Sequence, residues 1–292
     1  SPIYNEEKNL NDFFFLLKKS VSEFNEKFLI EITLVNDGSE DNSLKICQEI
    51  KKENSFVNVI SLTRNFGHQN AILSALKTTT SDLYLVLDAD MQQDPKYLKT
   101  ILENFITSKV NIIQMQKKYE NHENFLKRLF SRFFYFFFKK FTDIKIEKGS
   151  SDFYLITKKV RDQIIKSNIS HHFLRGFIHW SGFSKLYITY VPNKRIHGKS
   201  KYVFLKQLEF ALTGVYFYQN KLFIYLFIIS LFLFILAIIY IVFLVYSFYF
   251  IGNEYEAGWS TLVIILLFFG SLITLLNSFI IFMIMKIFNF VS

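Results

Sequence analysis

Two long segments without a charged residue lie in the last third of the chain. The first runs over 29 residues from Leu222 to Phe250, and the second over 24 residues from Leu262 to Met285. Each is longer than the roughly 20 residues that an α-helix needs to cross the hydrocarbon core of a bilayer. Two buried helices of a soluble core are the alternative, but such helices are expected to contain charges at this length. The two segments therefore predict two membrane-spanning helices.

The distribution of charge predicts how these helices are oriented. The connector at 251–258 contains Glu254 and Glu256 and no basic residue, whereas residues 1–221 contain 33 of the 34 lysines and arginines. Because basic residues concentrate on the cytoplasmic side of membrane proteins, we expect the large N-terminal part and the C-terminal tail in the cytoplasm. The single cysteine, Cys47, allows no intramolecular disulfide, which agrees with a cytoplasmic domain.

The first 120 residues alternate short apolar runs with polar, helix-like segments. The candidate strands are 31–35, 57–62, 83–87 and 110–115, with helical stretches such as 43–53 and 68–77 between them. Strands that alternate with helices of this length indicate βαβ units and a parallel sheet. Polar residues follow each strand, so the candidate site residues are expected to share one edge of the sheet.

The run at 83–87 leads directly into Asp88 and Asp90. In open α/β sheets, ligands bind at the carboxyl ends of the strands. Carboxylate oxygens suit Mg²⁺ or Mn²⁺, and Mg²⁺ is usually held by one or two carboxylates together with substrate phosphates. A simple polar turn, with Asp94 and Pro95 opening the next helix, is an equally good interpretation of this pair taken alone.

Two further segments lead to structural expectations. The opening SPIYNEE looks like the end of a strand, and we expect an apolar strand upstream of it. Residues 125–141 (FLKRLFSRFFYFFFKKF) place Arg128, Arg132 and Lys139 on one helical face among phenylalanines. This pattern predicts an interfacial helix in the headgroup layer, with a helix packed on the sheet as the alternative. Residues 202–221 are a second candidate for the interfacial role.

Seven motifs in a fixed order resemble those of family 2 glycosyltransferases with the GT-A fold. The motifs are PIYNEE (2–7), VNDGSEDNS (35–43), RNFGHQNAI (64–72), DADMQQDP (88–95), GSSDFYLI (149–156), FLRGFIHWSGF (173–183) and RIHGKSKY (195–202). The last three resemble the subgroup that loads a sugar onto a polyprenyl phosphate, namely bactoprenol glucosyltransferases and dolichyl-phosphate mannose synthases. Two spans after the catalytic domain match the bactoprenol branch.

The resemblance implies a domain organisation and a set of site residues. It implies an α/β GT-A domain at 1–201, a juxtamembrane segment at 202–221 and a transmembrane hairpin at 222–288. The implied nucleotide-binding residues are Pro2, Tyr4, Glu6, Asp37 and Asp88, with Asp88 beside the diphosphate. The implied ligands of a Mg²⁺ or Mn²⁺ ion are Asp90 and Gln92. The implied acceptor-phosphate residues are Arg195, Ser200 and Lys201, and the sugar pocket would be shaped by Arg175 and Trp180.

Asp152 is the usual candidate for a catalytic base in this family, beside Arg195 and Lys201 as catalytic cations. A phosphate monoester has a second pKa of about 6 and is largely a dianion in the cytoplasm, so it hardly needs a base. A positioning residue is an equal alternative for Asp152, and an aspartate that caps the backbone after Gly149 is a third. The basic segment 195–201 is also typical of a patch that binds anionic lipid headgroups.

The implied reaction is metal-dependent, inverting transfer of a sugar, glucose in first place, from UDP-glucose to undecaprenyl or another polyprenyl phosphate. Alternatives are a GDP-mannose-dependent mannose synthase, a processive polysaccharide synthase and a catalytically inactive membrane scaffold. The implied setting is the bacterial inner membrane, with a multi-pass chain, a cytoplasmic catalytic domain, a possible homo-oligomer and no nucleic-acid partner. Two residues depart from the family pattern: Asn36 stands where aspartate is common, and His68 where lysine is often found.

Overall fold

The computed structural model describes residues 1–24, 26–118, 147, 149–167, 174–193, 222–252 and 258–291. These residues form two compact units, an α/β unit and a helical unit. The predicted interfacial helix at 125–141 and the juxtamembrane segment at 202–221 lie outside the described residues, as do Arg195, Ser200 and Lys201.

The α/β unit contains seven strands and six helices in the described residues. The strands are β1 (Pro2–Ile3), β2 (Ile32–Asn36), β3 (Val57–Ser61), β4 (Leu83–Val86), β5 (Ile112–Lys117), β6 (Ser150–Thr157) and β7 (Lys185–Tyr190). The helices are α1 (Leu10–Ser22), α2 (Ser43–Glu53), α3 (His68–Thr78), α4 (Tyr97–Ser108), α5 (Lys158–Lys166) and α6 (Leu174–Trp180). The strands and helices predicted between residues 31 and 115 agree with these bounds to within two residues.

The strands form two hydrogen-bonded sheets. In the first, β1, β2 and β3 run parallel, with Pro2 opposite Val35 and Leu34 opposite Val59. In the second the order is β4-β6-β5-β7, and β6 runs antiparallel to both of its neighbours. The predicted parallel arrangement is therefore confirmed for β1 to β3 and for the pair β5 and β7, and it is interrupted between β4 and β5 by the antiparallel strand β6. The antiparallel strand β6 begins more than 30 residues after the end of β5. The sequence identifies this segment only as the motif GSSDFYLI and not as a strand.

Helical layers cover both faces of the second sheet. Along β6, Phe153 and Leu155 pack into one buried cluster, while Tyr154 and Ile156 pack into the other. Successive side chains of a strand point to opposite faces, so a strand that is apolar at every position must be buried on both sides. The first cluster also contains Ile3, so the two sheets share a core. The ends of β1, β2 and β4 carry the loops considered below.

Gly38, in the turn after β2, is a position that a side chain cannot occupy without strain. Its φ is +63°, and an added Cβ would lie 2.3 Å from the backbone carbonyl carbon of Arg64. We expect Gly38→Ala to destabilise the α/β unit by about 3 kcal/mol, because the left-handed conformation and the steric overlap both cost free energy. Gly182→Ala is the control: its φ is +65°, but nothing lies within 4 Å of the added Cβ. Equal losses in chemical denaturation of the two variants would contradict the steric contribution.

The helical unit consists of two long apolar helices, α7 (Leu222–Tyr246) and α8 (Trp259–Val291), with a π-helical turn at Ser247–Ile251. Residues 224–251 and 259–284 contain 18-residue stretches with mean hydropathies of 3.3 and 2.4, and only 17% and 11% of these stretches are buried. A core helix of a soluble protein would be mostly buried, so its apolar surface would not face the solvent as it does here. Both helices are long and apolar enough to span a membrane.

Small residues lie where α7 and α8 are buried within this unit. Ser230 and Ala237 are spaced by seven residues on α7, as are Ser271 and Ser278 on α8, and all four are at most 2% exposed. The hydroxyl groups donate to carbonyl groups of their own helices, as Ser230 Oγ does to Phe227 O at 2.8 Å. Small side chains let helix backbones approach closely, which is how helices pack in lipid without a hydrophobic driving force.

Candidate active site

The loops after β1 and β2 hold each other through hydrogen bonds. The Asn5 amide donates to Ser39 Oγ at 3.0 Å, and the Glu6 amide donates to Ser43 Oγ at 2.8 Å. In return the Glu40 amide donates to Asn5 Oδ1 at 2.9 Å. Of the predicted nucleotide-binding residues, Tyr4 and Glu6 therefore lie in a loop that is hydrogen-bonded to its neighbour, and Pro2 lies in the adjoining strand β1.

Asp37 lies at the end of β2 and is only 3% exposed. Its two carboxylate oxygens accept hydrogen bonds from the backbone amides of Phe66, at 2.8 Å, and Gly67, at 3.0 Å. Asp37 therefore fixes the loop that leads into α3. Its contact with a nucleotide stays a prediction, and such a contact would use the lone pairs that these two amides leave open.

The loop after β4 is held together by its own side chains. Gln93 accepts a hydrogen bond from the Asp88 amide at 2.8 Å and donates to Asp88 Oδ2 at 2.5 Å. Asp90 Oδ1 accepts from the Gln92 amide at 3.1 Å, and Met91 between them has a φ of +62°. Gln93, which is 1% exposed, was missed at the sequence level. Its only signal there was the second glutamine of the motif DADMQQDP.

The donor set of this loop fits a divalent cation. Asp90 and Gln92 offer a carboxylate and an amide oxygen, which are hard ligands. Oδ1 of Asp88 is buried and has no hydrogen bond of good geometry to the described residues. No group of three or more His, Cys, Asp or Glu side chains in the described part of the chain is arranged as a complete metal site. An ion here would therefore take further ligands from water or from substrate phosphates, as Mg²⁺ commonly does.

Asp152, in β6, is the centre of a second polar cluster. Arg175, in α6, contacts it with two nitrogens: Nε lies 3.1 Å from Oδ1, and Nη2 lies 2.7 Å from Oδ2. Gln69 Nε2 also donates to Oδ2 at 2.9 Å, and Gln69 Oε1 accepts from the Arg175 amide at 3.2 Å. The predicted acceptor-side aspartate and one predicted sugar-pocket residue are thus joined, through a glutamine that was not predicted.

His68 connects the two clusters. Its Nε2 atom lies 3.3 Å from Asp88 Oδ1 and 3.3 Å from Asp152 Oδ2. Burial alone would lower the pKa of His68, but the charges of Asp88 and Asp152 outweigh it and raise the pKa to about 9. Arg175 acts in the opposite direction, more weakly. His68 is therefore an imidazolium at neutral pH and lies between the loop after β4 and strand β6.

The two carboxylates differ in their electrostatic state. Burial and the neighbouring charges of Asp152 and Asp90 raise the pKa of Asp88 to about 6, against the attraction of His68. Burial also opposes ionisation of Asp152, but Arg175 and His68 outweigh it and hold the pKa of that carboxyl far below its usual range. Negative charge is therefore crowded at Asp88 and well compensated at Asp152.

The N-terminal part of the sequence matches a known enzyme family. Residues 1–173, more than half of the chain, match the model described as glycosyl transferase family 2. The chain belongs to this family. The predicted fold class, an α/β GT-A domain followed by two long apolar helices, is confirmed, and the chain is a glycosyltransferase.

Several known proteins are similar to this glycosyltransferase. It is 29% identical over 278 residues to the uncharacterized glycosyltransferase YkcC of Bacillus subtilis, which covers 94% of this chain and 84% of the relative. It is 29% identical over 216 residues to a bactoprenol glucosyl transferase of Shigella phage SfX, over 73% of this chain and 69% of the relative. The mannosyltransferase PcManGT of Pyrobaculum calidifontis, solved in complex with GDP-Man and Mn²⁺, superposes with a TM-score of 0.48 at 13% identity, over 68% of this chain and 56% of that chain.

The second predicted sugar-pocket residue of the glycosyltransferase, Trp180, lies at the C-terminal end of α6. Its side chain is 49% exposed, and its ring centroid lies 6.2 Å from that of Phe177. Arg175, five residues earlier on the same helix, contacts Asp152 directly. The structure therefore brings Arg175 to the cluster around Asp152, and roles of Arg175 and Trp180 in a sugar pocket stay predictions.

Proposed function

We propose that this glycosyltransferase transfers glucose from UDP-glucose to a polyprenyl phosphate such as undecaprenyl phosphate, at the cytoplasmic face of a bacterial inner membrane. The observation that carries the proposal is that one chain holds both the carboxylate-rich strand ends of a glycosyltransferase and two helices apolar enough to span a bilayer. Glucose is placed first because several relatives are named bactoprenol glucosyl transferases. GDP-mannose is the alternative donor.

The loop after β4 is the proposed donor side. Breaking the bond between the anomeric carbon and the diphosphate builds negative charge on the leaving group. Asp90 and Gln92 would hold a Mg²⁺ or Mn²⁺ ion, which when bound neutralises that charge more in the transition state than in the ground state. Asp88 and Gln93 keep this loop in one conformation through their two hydrogen bonds. The nucleotide would lie against the loops that contain Tyr4, Glu6 and Asp37.

The contacts of Asp152 favour a positioning role over that of a base. Oδ1 accepts from Arg175, and Oδ2 accepts from Arg175 and Gln69 with His68 nearby, so the carboxylate is already engaged on both oxygens. A base must reach the acceptor proton, and a carboxyl with a strongly lowered pKa takes up a proton poorly. A lipid phosphate with a second pKa of about 6 is its own nucleophile. Inversion then follows from a single displacement by that phosphate.

The acceptor would be bound by the basic segment that follows β7. We propose that Arg195, Ser200 and Lys201 bind the lipid phosphate, because an arginine fork matches phosphate oxygens and offsets their repulsion from the diphosphate. Two membrane-spanning helices in the same chain would keep the enzyme at the surface where the lipid phosphate lies, which raises the effective concentration of the two reactants.

The test is a transfer assay with defined substrates. The full chain in nanodiscs would be incubated with undecaprenyl phosphate, MgCl₂ or MnCl₂, and one nucleotide sugar at a time from a panel that includes UDP-glucose and GDP-mannose. We expect the lipid to gain one hexose with UDP-glucose, as measured by mass spectrometry. Undecaprenol without phosphate is the control and should gain nothing. A lipid that stays unmodified with every donor would overturn the proposal.

A further inference from the structure

We propose that the imidazolium of His68 binds a phosphate oxygen of the substrates, so that His68 is a catalytic residue at the junction of the donor and acceptor sides. The inference rests on the proposed function in one respect, because that function supplies two anionic substrates to the same strand ends. The phosphate belongs either to the nucleotide diphosphate or to the lipid acceptor, and the two sources share the chemistry that His68 would recognise.

The position of His68 is the first part of the case. His68 is the first residue of α3. Its side chain contacts Asp88, which follows β4, and Asp152, the proposed acceptor-side residue of β6. Its side chain is 28% exposed, against 6% for that of Asp152. A substrate that lies across these strand ends can therefore reach the imidazole ring, whereas the carboxylate behind it is covered.

The geometry of the two contacts is the second part. Both Nε2 distances are 3.3 Å, beyond the range of about 2.7–3.2 Å that is usual for nitrogen–oxygen hydrogen bonds. One Nε2–H group cannot point at two carboxylates at once, so each contact is electrostatic more than a directed hydrogen bond. No hydrogen-bond partner of Nδ1 is found among the residues that the structure describes. The protonated ring thus has an Nδ1–H donor available for an anion.

The charges at this edge are the third part. Asp88, Asp90 and Asp152 place three carboxylates near the position where a diphosphate and a phosphate would meet. The groups that face His68 are Asp88 after β4, Asp152 in β6 and Arg175 in α6, and the two carboxylates keep the imidazole charged. These carboxylates would repel an incoming phosphate unless a cation lay between them and the phosphate. His68 supplies that cation.

The experiment compares His68→Gln, which removes the charge, with His68→Lys, which keeps a cation. The readouts are kcat, the KM of each substrate, and the affinity for UDP and for GDP by calorimetry. Lys77→Gln, which removes a positive charge in the last turn of the same helix, is the matched control. We expect His68→Gln to weaken the binding of one anionic substrate about tenfold or more, because the variant loses a charge-assisted hydrogen bond to it. His68→Lys should stay within about threefold of the wild type on the same scale.

The pattern of losses identifies the phosphate. Weaker UDP binding together with a higher KM for the nucleotide sugar assigns His68 to the donor diphosphate. A higher KM for the lipid phosphate with unchanged UDP affinity assigns it to the acceptor. The proposal is overturned if His68→Gln changes neither the KM of the nucleotide sugar nor the KM of the lipid phosphate. It is also overturned if the lysine variant is as impaired as the glutamine variant. If the wild type transfers no sugar to polyprenyl phosphate, the calorimetric comparison decides alone, and unchanged nucleotide affinity in His68→Gln then overturns the proposal.

A second measurement does not depend on the folding of the neutral variant. In the wild type, the KM of the substrate that His68 binds should rise between about pH 8 and pH 10, as the imidazole loses its proton near pH 9. In His68→Lys this rise should be absent up to about pH 10, because the ordinary pKa of lysine is about 10.4. A wild-type rise that persists unchanged in the lysine variant would assign the pH dependence to another group and contradict the proposal.

Discussion

Sugar transfer should be lost in Asp90→Ala, while the protein stays folded. A divalent ion held by Asp90 and Gln92 would contribute several kcal/mol of transition-state stabilisation, so the rate should fall by at least about a hundredfold. The fold should tolerate the change because Asp90 lies in a loop and is only partly buried. The measurement is the initial rate of hexosyl-lipid formation over a range of Mg²⁺ and Mn²⁺ concentrations, together with the thermal unfolding midpoint.

Asp94→Asn is the matched control for this result. Asp94 belongs to the same loop, but its carboxylate contacts Lys96 and Asn193, and asparagine can keep the bond to the Lys96 amide. Its transfer rate should stay near that of the wild type. A second measurement distinguishes loss of metal binding from loss of the transfer step. Mn²⁺ should strengthen the binding of UDP to the wild type and not to Asp90→Ala. Full turnover by the alanine variant would remove the metal role of this residue.

The sequence predicted the features that depend on local patterns. The apolar run at 83–87 and the two aspartates after it placed the loop of Asp88 and Asp90 correctly at a strand end. The uncharged segments likewise predicted α7 and α8, because length and apolarity are properties of a single segment. The parallel pairing of β2 with β3 likewise follows from alternating strands and helices.

The features that were missed depend on contacts between distant residues. His68 and Asp152 are 84 positions apart, and no spacing in the sequence indicates that their side chains meet. The strand β6 pairs antiparallel with β4 and β5, and its apolar residues show no period-two pattern because both faces are buried. His68 was noted only as a departure from the family pattern. In the structure its side chain lies between Asp88 and Asp152.

Replacing Asp152 with asparagine should destabilise the α/β unit by about 3 kcal/mol. The change leaves Arg175 and His68 as two neighbouring cations without their shared anion, and removing one member of a buried ion pair costs about 3–5 kcal/mol. We take the lower end of this range because the side chains of Arg175 and His68 are 29% and 28% exposed. Trp180 lies on the helix of Arg175, so in a Trp259→Phe background its fluorescence would report denaturant unfolding of this unit alone.

The pH dependence of this loss distinguishes the cluster from a single hydrogen bond. Since the pKa of His68 is raised from 6.5 to about 9, its attraction to the carboxylates stabilises the fold in full below pH 6.5 and is lost as the pH rises through 9. The pKa of Asp152 is lowered, so its own contribution is present above about pH 4 and disappears only in strong acid. The difference between wild type and Asp152→Asn should therefore shrink as the pH rises from 6.5 towards 9.

A double-mutant cycle with Arg175 separates a positioning role of Asp152 from that of a base. If Asp152 acts by holding Arg175, adding Arg175→Gln to Asp152→Asn should cost little further stability or activity, because the arginine has already lost its anchor. A base would act independently of Arg175, and the activity losses of the two variants would multiply. Because both oxygens of Asp152 already accept hydrogen bonds, we expect strong coupling. Independent losses of activity would instead indicate that Asp152 acts as a catalytic base.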